Sequence, residues 1–465
     1  MKKILLTILS LFSFLSLAAC NNQNNNTTTS IIPSTNEEEK DENVYLNDTV
    51  NDKVKFTGFY SSNLEYNYEY RDDYFDDSAE DNYIDLAKVS LLKALSCTVA
   101  DDTNLTKAAD YIVDFHTKCN YKDIYISDDY KIKTTKDTIG FVFASKYIMS
   151  NNKKTLLISI TARGFKYDRE WASNFTIGKE GNHAGFEAAS SKIMNSLNTY
   201  LEKYNKDLNR GIELKFWISG YSRGGAVADL VSAKIRDNNI AKAENIYAYT
   251  FEAPASMLEN DKEYNFIKNY INKNDIVPKI IPNTTGLIRP GVDFDYNVDK
   301  DINKVKENLA KISADFKYAE ATKIEAMDTF IADLIEKAFS VFENVREEYT
   351  DNYQDSLVYF LDFMFSLDNE KFSKLTSTFK GMSIFELASV FSKDGFLKLL
   401  KTTFEKCEIE YDNEKITKFV DDIHPLVFEK IIGKVGYQNL ILVYQNISAI
   451  AQCHMQEMTL AIIMS

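Results

Sequence analysis

Two periods of hydrophobic spacing alternate between about residues 70 and 285. Short apolar runs at 138–144 (TIGFVFA), 155–162 (TLLISITA), 214–219 (LKFWIS), 246–251 (IYAYTF) and 266–272 (FIKNYIN) predict five strands. Helical spacing falls between and before them. Residues 70–96 begin acidic and then place Leu86, Val89, Leu92 and Leu95 on one face, and residues 107–116 predict another helix. Phe186, Ala189, Ile193, Leu197 and Leu201 make a further stripe, and residues 226–235 a further helix. Strands alternating with helices predict an α/β fold: a mostly parallel sheet with helices on both faces, whose reactive groups gather at the carboxyl ends of the strands.

The pattern changes from about residue 300 to 430. Long charged segments carry Phe339, Val341, Phe342 and Val345, then Phe360, Phe363 and Phe365, then Phe385, Leu387, Val390 and Phe391 at helical spacing. No strand is evident there. We read a helical insertion or cap, with the aromatic stripes as its core in preference to a lipid-binding face. No internal repeat is found.

Composition narrows the function. At 465 residues with 45% hydrophobic content the chain can bury a large core. Its net charge of -15 argues against nucleic-acid partners and against adsorption to anionic lipid. Beyond Cys20, the cysteines are Cys97, Cys119, Cys407 and Cys453, without C-x-x-C spacing, so disulfide pairs and buried thiols both remain open. Only His116, His183, His424 and His454 are present, with no pair at ligand spacing, which argues against a zinc site. No metal or cofactor is expected.

Candidate chemistry centres on residues 217–230, WISGYSRGGAVADL. The apolar run stops at Gly220, Ser222 follows, and a helical stretch begins at Ala226. This is G-x-S-x-G between a strand and a helix. A serine forced into a sharp strand-to-helix turn needs small neighbours, and only 16 glycines occur in the chain, three of them at 220, 224 and 225. Such a serine is a nucleophile once a base takes its proton. In this fold class the order is Ser, then Asp or Glu, then His, which excludes His116 and His183 and leaves His424 and His454. Asp275, at the carboxyl end of the predicted strand 266–272, is the candidate carboxylate. The N–H of Arg223, and that of Phe165 after the strand 155–162, are the candidate oxyanion donors.

These residues carry a family resemblance. GYSRGGA at 220–226, KNDIVP at 273–278, ARGF at 162–165 followed by EWASNF, HAGF at 183–186 and YTFEAPA at 249–255 resemble the class 3 (fungal-type) lipases, and the bacterial lipase-family proteins most closely. The resemblance covers about 70 to 285 well and the C-terminus weakly. It implies an α/β-hydrolase fold, carboxylic-ester hydrolysis, Ser222 as nucleophile, Asp275 as acid, and Phe165 with Arg223 as the oxyanion pair. Bacterial relatives end in a segment like A-H-x-P-E-L-Y-L-A; here it reads CHMQEMTLA at 453–461, which favours His454 over His424 as base. His183 is taken as structural. Many family members carry Ser or Thr where Phe165 stands, so one hydroxyl donor is lost here. That departure, with the altered C-terminal segment, keeps a second expectation in view: a surface binding protein that retains the fold with weak or no turnover.

At the other end, residues 1–20 (MKKILLTILSLFSFLSLAAC) pair two lysines with an apolar run and small residues, the pattern of a secretory signal. Leu17–Ala18–Ala19–Cys20 resembles the lipobox of bacterial lipoproteins. The resemblance implies removal of residues 1–19, a diacylglyceryl group on Cys20, and an exported chain anchored by lipid at the bacterial surface or membrane. Residues 20–45 then form a polar, disordered tether, and 46–465 the α/β-hydrolase domain. Acyl esters or lipids are the expected substrates.

Overall fold

The computed structural model describes residues 43–465 except 60, 62, 101–103, 165–167, 297–301, 384–385 and 387–388. The expected signal sequence at 1–19, Cys20, residues 21–42, Phe165, Phe385 and Leu387 therefore lie outside the described residues.

Among the described residues there are eleven strands: β1 Thr49–Phe56, β2 Leu64–Arg71, β3 Lys122–Ile126, β4 Phe141–Ser150, β5 Lys153–Ala162, β6 Glu213–Tyr221, β7 Ile246–Phe251, β8 Met257–Leu258, β9 Ile267–Asn272, β10 Leu287–Ile288 and β11 Val292–Tyr296. Seven of them form the central sheet in the order β3-β4-β5-β6-β7-β9-β11. From β5 to β11 every neighbouring pair is parallel. Strand β4 is antiparallel to both its neighbours. All five strands expected from the sequence exist, and 246–251 is matched to the residue. The run at 138–144 differs: the strand starts at Phe141 and continues to Ser150 through the more polar KYIMS. A tight turn explains why it pairs antiparallel with β5. Asn151 and Asn152 both have positive φ (49° and 63°), the conformation of a two-residue hairpin loop.

Four principal helices cover the sheet: α1 Ile84–Ser96, α2 Asp110–Lys118, α3 Ala184–Glu202 and α4 Arg223–Asp237. The architecture is α/β-hydrolase-like, with helices on both faces. Leu86, Val89, Leu92 and Leu95 are all buried, as their spacing requires. Trp217 of β6 is fully buried and its Nε1–H donates to Ser90 Oγ of α1 at 2.7 Å. Ser159 of β5 meets Lys93 Nζ of α1 at 3.0 Å and His116 Nε2 of α2 at 2.9 Å. Burial pushes Lys93 well below its ordinary range.

After β11 the described residues form helices and no strand, past the expected limit near 430. Helix α5 (Ile302–Ile312) precedes α6 (Met327–Phe339), α7 (Asp355–Ser366), α8 (Lys393–Lys406), α9 (Asn413–Pro425) and α10 (Gln456–Ile463). Phe360 stacks on Phe419 with ring centres 3.9 Å apart, and Phe365 and Val390 are also buried, so these stripes build a core. Phe391 is exposed. Cys97, Cys119, Cys407 and Cys453 are buried free thiols. Among the described residues no helix is long and apolar enough to cross a membrane.

Two buried histidines set an acid sensitivity. Burial pushes His116 and His183 down to about 3 from an ordinary 6.5. Both are neutral when folded and protonate near 6.5 once unfolded, so unfolding takes up protons below that pH. Stability therefore falls as pH drops from 6.5 towards 3, by about 1.4 kcal/mol per pH unit for each ring. Denaturant titrations at pH 7 and pH 5 should show this loss, and His116→Gln should roughly halve the dependence. Equal unfolding free energies at both pH values would contradict it.

Candidate active site

The parallel register brings four strand ends to one edge. Ala162 pairs with Gly220, Gly220 with Thr250, and Thr250 with Asn269. Two candidates follow strand ends at this edge, Ser222 after β6 and Asp275 after β9, and Arg163–Gly164 after β5 and Glu252 after β7 lie at the same edge. The depression of about 1000 Å³ lined by Lys153, Arg210, Arg236 and Lys242 lies at the opposite ends of these strands and has no part in the site.

Ser222 occupies a turn few residues tolerate. Its φ is 55° and ψ -127°, and its N–H donates to Phe251 O at 2.8 Å. The glycines permit the close approach. A Cβ on Gly220 would lie 2.1 Å from Gly224 O, and one on Gly224 would lie 2.5 Å from Ala162 O. The helix α4 begins at the next residue, so its N-terminal end faces the serine hydroxyl.

The hydroxyl has a partner from far along the chain. Ser222 Oγ donates to His454 Nε2 at 2.8 Å, and His454 Nδ1–H donates to Asp275 Oδ2 at 2.5 Å. Asp275 is fully buried, and its Oδ1 accepts the Val277 N–H at 2.9 Å. The three groups form one hydrogen-bonded chain. His454 lies in a turn between the helices Ile447–Gln452 and Gln456–Ile463, where a final strand or loop was expected.

Contacts the sequence did not suggest hold that turn. Tyr221 Oη donates to His454 O at 2.7 Å, and Asn272 Nδ2 donates to Cys453 O at 3.0 Å. Burial pushes the Tyr221 hydroxyl well above its ordinary range, so it stays a donor. Glu252, after a strand buried throughout, was also missed. Its available signal was a charged residue at the point where IYAYTF ends.

The other histidines are elsewhere. His424 Nε2 meets Val390 O at 3.0 Å among the helices after β11, with its ring stacked on Phe428. His183 Nε2 meets Asn174 O at 3.0 Å and stacks on Phe186, a packing role at the head of α3. Of the oxyanion candidates, Arg223 is the first residue of α4 and its guanidinium donates to Ser173 Oγ at 2.9 Å. The Arg163 guanidinium forms a buried pair with Glu170 at 2.6 Å. Among the described residues no cluster of His, Cys, Asp and Glu could hold a metal.

Gly224→Ala tests the crowding at the turn. The added methyl meets backbone that cannot retreat, which should cost about 1–3 kcal/mol of stability in denaturant titrations. An unchanged unfolding midpoint would show that the turn has slack.

Comparisons with known proteins bear on the central part of the chain. A search of the curated proteins finds no match. The structure of a fungal lipase–inhibitor complex is 22% identical, covering 45% of this chain and 78% of that one with a TM-score of 0.35. The Rhizomucor miehei lipase propeptide complex is 21% identical over 45% of this chain and 67% of that one, with a TM-score of 0.31. Lipase II from Rhizopus niveus is 16% identical over 45% and 80%, with a TM-score of 0.29. The family model described as Lipase (class 3) matches residues 150–285, a span that includes Ser222 and Asp275 and stops well short of His454.

Proposed function

We propose that this protein is a serine hydrolase that cleaves carboxylic esters, a lipase or esterase. The observation that carries the reading is the hydrogen-bonded chain from Ser222 through His454 to Asp275. The family match over 150–285 supports the same chemistry.

The geometry suits acyl transfer. With Nδ1–H donated to Asp275, the Nε2 of neutral His454 has a lone pair directed at Ser222 Oγ. As Oγ attacks the ester carbonyl, Nε2 takes its proton. The carbonyl oxygen becomes an oxyanion, stabilised by the Arg223 N–H and, on our reading, the Phe165 N–H. His454 then gives the proton to the leaving alkoxide, and an acyl-Ser222 ester remains. Water attacks that ester with His454 again as base, which releases the acid and restores Ser222. Asp275 stays ionised and holds the imidazole in one tautomer.

The cap is proposed to border the acyl pocket and set chain-length preference. Export and lipid attachment through Cys20 complete the proposal, with acyl esters or lipids of the adjoining membrane as substrates.

A fluorophosphonate probe should label Ser222 in the folded protein, and wild type should hydrolyse p-nitrophenyl acyl esters. Ser222→Ala should abolish labelling and lower kcat by at least about 10³-fold. Absence of labelling with an intact fold would favour a binding protein. Cys20→Ser should release the chain from membranes; retention would point to another anchor.

A further inference from the structure

The backbone that carries His454 is gripped by chain neighbours of Ser222 and of Asp275. Tyr221 immediately precedes Ser222, and its Oη donates to His454 O at 2.7 Å. Asn272 lies shortly before Asp275, and its Nδ2 donates to Cys453 O at 3.0 Å. Successive carbonyl groups of one turn are thus held from the nucleophile's side and from the acid's side. Tyr221 also lies alongside the imidazole, its ring centre 5.5 Å from that of His454.

Asn272 uses both ends of its amide. It is fully buried at the end of β9. While Nδ2 reaches Cys453, Oδ1 accepts the Asn274 N–H at 3.1 Å, and the main-chain oxygen accepts the Asp275 N–H at 2.9 Å. An asparagine that bonds the main chain two residues on closes a tight turn, and this turn presents Asp275. The residue is itself fixed. Its N–H donates to Glu252 Oε2 at 2.9 Å, and Glu252 Oε1 accepts from Tyr296 Oη of β11 and Thr459 Oγ1 of α10, each at 3.2 Å. One amide therefore gives a donor to the turn of the base and an acceptor to the turn of the acid. A carboxylate of the same length lacks the donor, and leucine lacks both.

The tolerance at such a site is narrow. His454 lies in a turn between two short helices. A general base has to stay within hydrogen-bond reach of the proton it takes, and a misplacement of about 1 Å can cost about a hundredfold in rate. A bond to one carbonyl fixes a position; bonds to two successive carbonyls also restrain rotation of the turn.

Resting on the hydrolase reading, we infer that Tyr221 and Asn272 are positioning residues: acting through the main chain of Cys453 and His454, they hold the imidazole at the distance from Ser222 Oγ and Asp275 Oδ2 that proton transfer needs.

The test compares wild type with Tyr221→Phe, Asn272→Leu and the double variant, and with Ser90→Ala as a control. Ser90→Ala removes a buried hydrogen bond to Trp217 Nε1, so it should lower the denaturant midpoint and leave kcat within about twofold. Tyr221→Phe deletes one hydroxyl and should lower kcat about fivefold. Asn272→Leu should lower it about tenfold and the double variant about a hundredfold, each with KM within about twofold. The rate of fluorophosphonate labelling of Ser222 should fall in step. A merely structural role predicts the Ser90→Ala pattern throughout, so a folded double variant with kcat within about threefold of wild type overturns the proposal. A loss confined to KM overturns it too. Should the leucine variants fail to fold, Tyr221→Phe decides alone, and a kcat within about twofold of wild type overturns the proposal. The His454 ring resonances in NMR read the same geometry without turnover. They should be single and sharp in wild type and shifted or broadened in the folded variants; identical ring spectra overturn the proposal. A wild type that neither labels nor hydrolyses ester, with ring resonances that respond as expected, would sink the hydrolase reading and leave the bracing of His454 standing.

Discussion

The site depends on the burial of the last helix. Ser222 and His454 are separated by 232 positions, and nothing local brings them together. Helix α10 does so. Its residues from Gln456 to Ile463 are all buried, and Asn308 of α5 donates to Ala461 O at 3.1 Å. With that helix fixed, the turn before it has few places to go. The Tyr221 hydroxyl and the Asn272 amide then set its last degrees of freedom by holding the carbonyls of His454 and Cys453. The loop-closure cost of so long a connection grows only logarithmically with length, so hydrophobic burial of one helix can offset it.

Much of this was legible in the chain. IYAYTF, TLLISITA and LKFWIS announce buried strands because central parallel strands are apolar on both faces. GYSRG announces its turn because a side chain at 220 or 224 would collide with backbone. Asp275 was legible through its place after a strand and His454 through its place near the chain end. The edges were not. Strands β3 and β11 lie at the two borders of the sheet and keep half-exposed, mixed sequences, KDIYI and VDFDY, that read as loop. The hairpin β1–β2 alternates charged residues with tyrosines and valines and was overlooked for the same reason. Glu252 could not be recognised because its contacts lie in Asn272, Tyr296 and Thr459, which the sequence scatters over some two hundred positions.

Two kinds of constraint meet at the sheet edge. Glycines at 220 and 224 give way, allowing backbone to pass within a distance that any methyl group would block. Ser222 and Glu252 do the reverse and hold side chains in conformations that cost of order 1–3 kcal/mol each. The expense is supportable because the neighbouring strands are fully buried and hydrogen-bonded, so the edge cannot relax. The fold supplies rigidity in the middle of the sheet and uses it at the rim.

The helices after β11 are joined to the same rim by a planar contact. Arg169, in the short helix Asp168–Phe175 that follows the ARGF segment, donates through Nε and Nη2 to the two oxygens of Asp362 in α7 at 2.8 and 2.6 Å. Around this fork, Trp171 and Phe175 lie against Val358, Leu361 and Phe365. A bidentate pair resists rotation as well as separation. The insertion and the segment after β5 are thereby coupled: a tilt of α7 strains this fork or carries residues 168–175 with it, and Ser173 of the same short helix accepts from the guanidinium of Arg223, the neighbour of Ser222.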